Sequence, residues 1–178
     1  MKVIRPIMIL TLLSILLNTS VFASETVDSV DINKYMGQWY EVASIPTRFQ
    51  KDCVGTNAIY TLLENGEVEI NNSCRKFTLD GELSLQKGRG RVVDTVSNSK
   101  LEISFVGPFI GDTWFFWADY WILELGENYE YAVIGTPSKK FLWVLSREKT
   151  LDQDLYEEIL ERRQADGYNV ELLKKTLQ

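Results

Sequence analysis

Between Gly37 and Ser146 the sequence passes through eight short β-type segments, each joined to the next by a brief turn and never by a helical stretch. They run from Gly37 to Ile45, Gly55 to Leu63, Glu67 to Cys74, Leu83 to Asp94, Leu101 to Val106, within Trp114 to Leu125, Tyr129 to Thr136, and Phe141 to Ser146. Connections this short join antiparallel neighbours, because parallel pairs need crossovers of about a dozen residues or more. The turn chemistry agrees. Asn65-Gly66 is a strong hairpin signal, and Asp80-Gly81, Ser97-Asn98-Ser99, Gly126-Glu127-Asn128 and Pro137-Ser138-Lys139 punctuate the other junctions. An antiparallel sheet fully loses its edges only by closing, and eight strands enclose room for side chains or one small ligand. The expected fold is all-β, an eight-stranded antiparallel up-and-down β-barrel; a two-sheet sandwich is the other architecture the pattern allows.

One helix is expected after the last strand. Thr150 stands as its N-cap, Gln153 at the capping-box position, and Asp152 and Asp154 in the first turn, where the helix dipole favours negative charge. Leu151, Leu155 and Ile159 share one face, which packs on the outside of the barrel; Arg162 and Arg163 occupy the last turn, and Gly167 stops it.

The first 23 residues read differently. Lys2 and Arg5 precede an apolar run from Ile7 to Leu17, and Val21-Phe22-Ala23 offers a cleavage site before Ser24. This is the pattern of a secretory signal peptide, and the run is too short to span a bilayer comfortably. The mature domain is then 24–178, exported to the periplasm or secreted, peripheral to the outer membrane at most. No Cys follows the predicted cut, so the usual bacterial lipid anchor is not expected. Export places Cys53 and Cys74 in an oxidising compartment, where one disulfide is expected, two free buried thiols being the alternative.

The 178 residues contain no histidine, which removes His-dependent triads, His general bases and nearly all catalytic zinc sites. With 19 basic against 25 acidic side chains the chain is acidic even before its leader is removed, which argues against nucleic acid as a partner. No catalytic set, metal cluster or cofactor motif is found.

The stretch from Tyr35 to Ala43, YMGQWYEVA, resembles the Gly-X-Trp signature on the first strand of lipocalins, and FLWVLSR from Phe141 to Arg147 resembles the end of their eighth. Phe105-Val106-Gly107-Pro108-Phe109 and Asp119-Tyr120-Trp121-Ile122-Leu123 are similar to the bacterial, apolipoprotein D-like branch. The resemblance covers Val30 to about Val170, in the family's order and spacing. At the place of the family's Thr-Asp-Tyr-like turn stand Leu125-Gly126-Glu127-Asn128-Tyr129, a departure, so partner contacts that other members make there are not carried over.

In such a barrel the first and last strands are neighbours, so Trp39 and Arg147 meet. A guanidinium over an indole face contributes roughly 0.5 to 2 kcal/mol, and with Gly37 it forms a lock at the closed end. The same topology puts Cys53 and Cys74 at the open end. Strand parity from Trp39 and Arg147 turns Glu41, Ala43, Trp143 and Leu145 inward, and counts Glu124 on the same face as Glu41. The family's registers imply Ala58, Tyr60, Ile70, Asn72, Gly88, Gly90, Ile103, Phe105, Tyr120, Ile122, Ala132 and Ile134 as further lining. Ala43, Ala58, Gly88, Gly90 and Ala132 leave room, and apolar walls with few polar groups suit an acyl chain. Asn71-Asn72-Ser73 matches a glycosylation acceptor but lies inside an expected strand, and is discounted. Trp114-Phe115-Phe116-Trp117 brings aromatics to the mouth, suited to contact with ligand, a membrane surface or a second copy.

The resemblance implies a non-enzymatic binding or transport protein for a small hydrophobic ligand, a fatty acid, lysophospholipid or similar lipid, working as monomer or homodimer. A lipid-modifying isomerase on the same barrel and a packed-barrel interaction module are the alternatives; absence of His and a disulfide count against the first.

Overall fold

The computed structural model describes residues 26–105 and 116–178; the leader, Trp114, Phe115 and the Val106-to-Phe109 motif lie outside them. A short helix α1 (Ile32–Tyr35) is followed by strands β1 (Gly37–Ser44), β2 (Cys53–Leu62), β3 (Val68–Lys76), β4 (Leu83–Val92), β5 (Lys100–Phe105), β6 (Ala118–Leu125), β7 (Tyr131–Gly135) and β8 (Leu142–Ser146). Helix α2 (Gln153–Ala165) and a two-residue strand β9 (Lys174–Lys175) complete the chain. The pairing order β2-β3-β4-β5-β6-β7-β8-β1-β9, with β1 also pairing β2, closes the sheet into a barrel. Every pairing is antiparallel, and the eight expected strands are all present within a few residues of their predicted bounds.

Two apolar clusters divide the interior from the outside. The inner one holds Tyr35, Trp39, Ala58, Tyr60, Val68, Ile70, Leu101, Tyr120, Ile122, Ala132, Ile134 and Leu145. The outer one joins Val42, Ala43, Leu123, Val133, Leu142 and Val144 to Tyr156, Ile159 and Tyr168 of the C-terminal region. Helix α2 therefore packs outside the barrel as expected, and fully burying Ile159 contributes roughly 2 kcal/mol. Its N-cap is Asp152, whose carboxylate accepts from the Leu155 N–H at 3.1 Å, and not Thr150. A cap two residues later shortens the helix by half a turn and puts Asp154 in its first turn.

Two bulges correct the parity count. In β1, Glu41 pairs Leu145 but Ala43 pairs Val144, so one residue is inserted between them. Ala43 thereby turns to the outer cluster beneath α2 and does not line the interior. In β6, Ile122 pairs Ile134 but Glu124 pairs Val133, so Glu124 too points outward, away from Glu41. It accepts hydrogen bonds from Tyr131 at 2.8 Å and Arg162 at 2.7 Å and forms an ion pair with Arg163 at 3.4 Å. That pairing raises the Arg162 guanidinium above its ordinary range, and burial, then the Glu124 bond, does the same to the Tyr131 phenol.

A third irregularity shapes the seam. Gly55 sits at φ +59°, where β2 shifts register against β3 between Val54 and Asn57, and β1 pairs β2 only over Gly37–Tyr40. Where the two strands part, the C-terminal segment enters. β9 pairs Ala43 and Ser44, Thr176 donates its N–H to the Val42 carbonyl, and the Gly55 N–H donates to the Leu177 carbonyl. The Gln178 amide spans both strands, donating to the Glu41 and Thr56 carbonyls at 2.7 and 2.8 Å.

Candidate functional site

The closed end is built around one guanidinium. Arg147 lies 3.7 Å above the Trp39 ring centroid and donates to the carbonyls of Gln38, Lys34, Tyr35 and Tyr129. Trp39, wholly buried, donates its indole N–H to the Tyr35 carbonyl, and a Cβ added to Gly37 would touch the Arg147 guanidinium. The arrangement seals the barrel floor. Its Nε, Nη1 and Nη2 all donate to backbone carbonyls, which commits this cation to the floor.

Above the floor sits a cluster of phenols. Tyr120 shares hydrogen bonds with Tyr35 at 2.7 Å and Tyr60 at 3.2 Å; the Tyr35 and Tyr60 rings stack and Tyr120 meets Tyr60 edge-on. Burial pushes the Tyr60 phenol up to about 12 and those of Tyr35 and Tyr120 well above their ordinary value. Beside them lies a small apolar pocket lined by Tyr35, Met36, Tyr60, Val68, Ile70, Gly90, Leu101, Ile103 and Tyr120, with a free volume of about 10 Å³. That is room for about one water-sized group beside the phenols.

Toward the mouth the lining changes. Asn72 faces Ala58 on β2 and Gln86 on β4, and Gly88 faces Phe105. A Cβ on Gly88 would stand 2.7 Å from the Phe105 ring, so this glycine makes room for a neighbouring ring and not for a ligand. Phe105 itself is 40 % exposed. On the β1 side, Glu41 accepts hydrogen bonds from Ser44, Gln50 and Thr176, and Gln50 accepts in turn from the Trp143 indole. Cys53 and Cys74 are bridged, with Cα atoms 5.4 Å apart, fastening β2 to β3 near the mouth. Neither sulfur is a free thiol.

The other lining residues named from the sequence, Ala58, Tyr60, Ile70, Tyr120, Ile122, Ala132 and Ile134, are buried in the inner cluster, with Ile103 and Trp143 packed against it. Sequence reasoning missed Tyr35, Thr56 and the C-terminal segment. Tyr35 ends α1 two residues before β1 begins, where neither a helical nor a strand period marks it.

The rim is apolar. Phe49, Phe77, Phe116 and Phe141 stand 80, 72, 80 and 40 % exposed, each in a different mouth connection or at its edge. Arg48, Lys51 and Lys140 lie beside them, also exposed.

Residues 30–178 match the family model described as a lipocalin-like domain. The temperature-induced lipocalin-1 of Arabidopsis thaliana is 35 % identical over 156 residues, covering 86 % of this chain and 82 % of that protein. The outer membrane lipoprotein Blc of Vibrio cholerae is 31 % identical over 169 residues, covering 92 % of this chain and 94 % of its own. Among solved structures, insecticyanin from the tobacco hornworm Manduca sexta superposes with a TM-score of 0.65 at 18 % identity, over 86 % of this chain and 84 % of that one. At that identity the likeness concerns the fold alone.

Proposed function

The chain belongs to the lipocalin family, whose members generally bind small hydrophobic ligands, and from that premise we propose that it is an exported, non-enzymatic carrier of an acyl-chain lipid such as a fatty acid or lysophospholipid. The observation that carries this reading is the directional build of the barrel: a floor sealed by Trp39 and Arg147, apolar inward walls, and a rim of exposed phenylalanines at the other end. Burying an acyl chain at about 25 cal/mol per Å² supplies driving force without reactive groups. Because the floor pocket is this small, the body of the ligand lies toward the mouth, bounded by Ala58, Asn72, Ile103, Phe105 and Trp143. The rim phenylalanines, with Arg48, Lys51 and Lys140 beside them, suit contact with a membrane surface from which such a ligand is drawn.

Native mass spectrometry of the purified protein, followed by lipid extraction, tests the carrier reading. Co-purifying lipid, or uptake of added fatty acid or lysolipid at one per chain, is the expected result. A protein that stays empty up to the ligands' solubility limit refutes it. The small floor volume favours one other reading, a packed barrel serving as an interaction module, and that outcome would select it.

A further inference from the structure

Part way down the barrel two polar side chains have no partner. The Thr56 hydroxyl oxygen and the Asn72 amide oxygen are buried and make no hydrogen bond. Thr56 is 9 % exposed. The backbone kink lies at Gly55, so Thr56 keeps the two-residue period of β2 and shares the inward face with Ala58 and Tyr60 of the inner cluster. Asn72 pairs with Ala58, which makes it the diagonal neighbour of Thr56 on the adjoining strand. Two orphaned oxygens thus belong to diagonal positions on adjoining strands of the inner wall, between the floor pocket and the disulfide.

Burying a hydroxyl or amide without a partner is costly, and valine or leucine would fill the same space without that cost. The charges nearby narrow what these atoms fit. Among the described inward positions the one cation is Arg147, committed to four backbone carbonyls at the floor, and the one acid is Glu41, on the strand next to Thr56. A buried anion therefore meets no counter-charge there.

Resting on the carrier reading, we infer that Thr56 and Asn72 form a hydrogen-bonding subsite for an uncharged polar group, a hydroxyl, amide or carbonyl, carried on an otherwise apolar ligand. The threonine O–H and the asparagine amide together offer donors and an acceptor, which a hydroxyl or amide can match in full. A carboxylate or phosphate head stays outside, at the mouth beside Arg48, Lys51 and Lys140.

The test is a titration of the purified protein, by tryptophan fluorescence and calorimetry at neutral pH, with a long-chain primary alcohol, the primary amide and the carboxylate of the same chain length. Alcohol and amide are expected to bind at least about tenfold tighter than the carboxylate. Thr56→Val and Asn72→Leu should each cut that preference by roughly fivefold. Neither variant should lower the unfolding midpoint, since each removes an unsatisfied buried group; a purely structural role would lower it. A preference for the carboxylate, or a preference that both variants leave intact, overturns the subsite while sparing the carrier reading. Failure of all three compounds to bind overturns both.

Discussion

Replacing Arg147 with Met removes the guanidinium while keeping a long apolar side chain over Trp39. The cost follows from what each lost contact faces. The contact at 3.7 Å over a wholly buried indole contributes about 1 to 1.5 kcal/mol. Of the four carbonyl acceptors, those of Gln38 and Lys34 lie at the surface, where water takes over. The Tyr35 carbonyl keeps its bond from the Trp39 indole N–H. The half-buried Tyr129 carbonyl is left as the main uncompensated loss, about 1.5 kcal/mol for a charged donor. The sum is about 3 kcal/mol. With a urea slope of about 2 kcal/mol per molar, the unfolding midpoint should fall by about 1.5 M at unchanged slope. Arg147→Lys keeps the charge but loses the planar fork, and should cost about half as much. Ligand uptake should survive both changes, because the lock stands at the end opposite the mouth. A midpoint shift below about 0.3 M for Arg147→Met would refute the reasoning, as would a lysine variant as stable as the parent.

Buried phenols make the protein sensitive to alkali. The folded state holds the Tyr60 proton up to about 12, while an unfolded tyrosine releases it near about 10. Stability from this source is therefore complete below pH about 10 and lost as the pH rises through about 12. Phenolate absorbance should rise in two stages, the later one coinciding with loss of near-UV circular dichroism; a single reversible stage with the fold intact would count against the cluster. Reducing the Cys53–Cys74 bridge, which spans 21 residues of sequence, should cost about 3 kcal/mol, read as a lower melting temperature in reductant and a matching loss in a double-serine variant. Glu124→Leu leaves Arg163, whose side chain is 9 % exposed, without its main-barrel partner, and should destabilise by about 2 to 3 kcal/mol in urea; an unchanged midpoint would show that Asp166 alone suffices.

Strand number, the antiparallel order, the outer helix and the closing Trp39–Arg147 pair were legible because each is written in short-range pattern: alternation, turn residues and a helical stripe. The bulges were not. A two-residue period carries no mark where one extra residue is inserted, so the count from Trp39 sent Ala43 inward, and the count along β6 sent Glu124 inward as well. In both cases the displaced residue meets the C-terminal region, Ala43 in the outer cluster and Glu124 at Arg162 and Arg163, and those contacts join residues far apart in sequence. Tyr35 was hidden for a different reason. A four-residue helix is too short for periodicity, and its inward tyrosine is fixed by partners on β2 and β6. The C-terminal strand escaped because Lys174 and Lys175, a two-residue pair, carry no alternation or turn signal, although their backbone pairs β1 where it parts from β2.

The closing contact at the floor also sets an order of events. Arg147 reaches Gln38 across 109 residues of sequence, so β1 waits for its second neighbour until nearly the whole sheet has been synthesised. Such long-range closure is slow compared with local hairpins. A nascent chain emerging from a ribosome or a translocation pore can assemble β2 through β7 hairpin by hairpin, yet it exposes two raw sheet edges throughout. For that interval its safety depends on remaining unpaired with other chains, and the last strand is the step that ends the exposure.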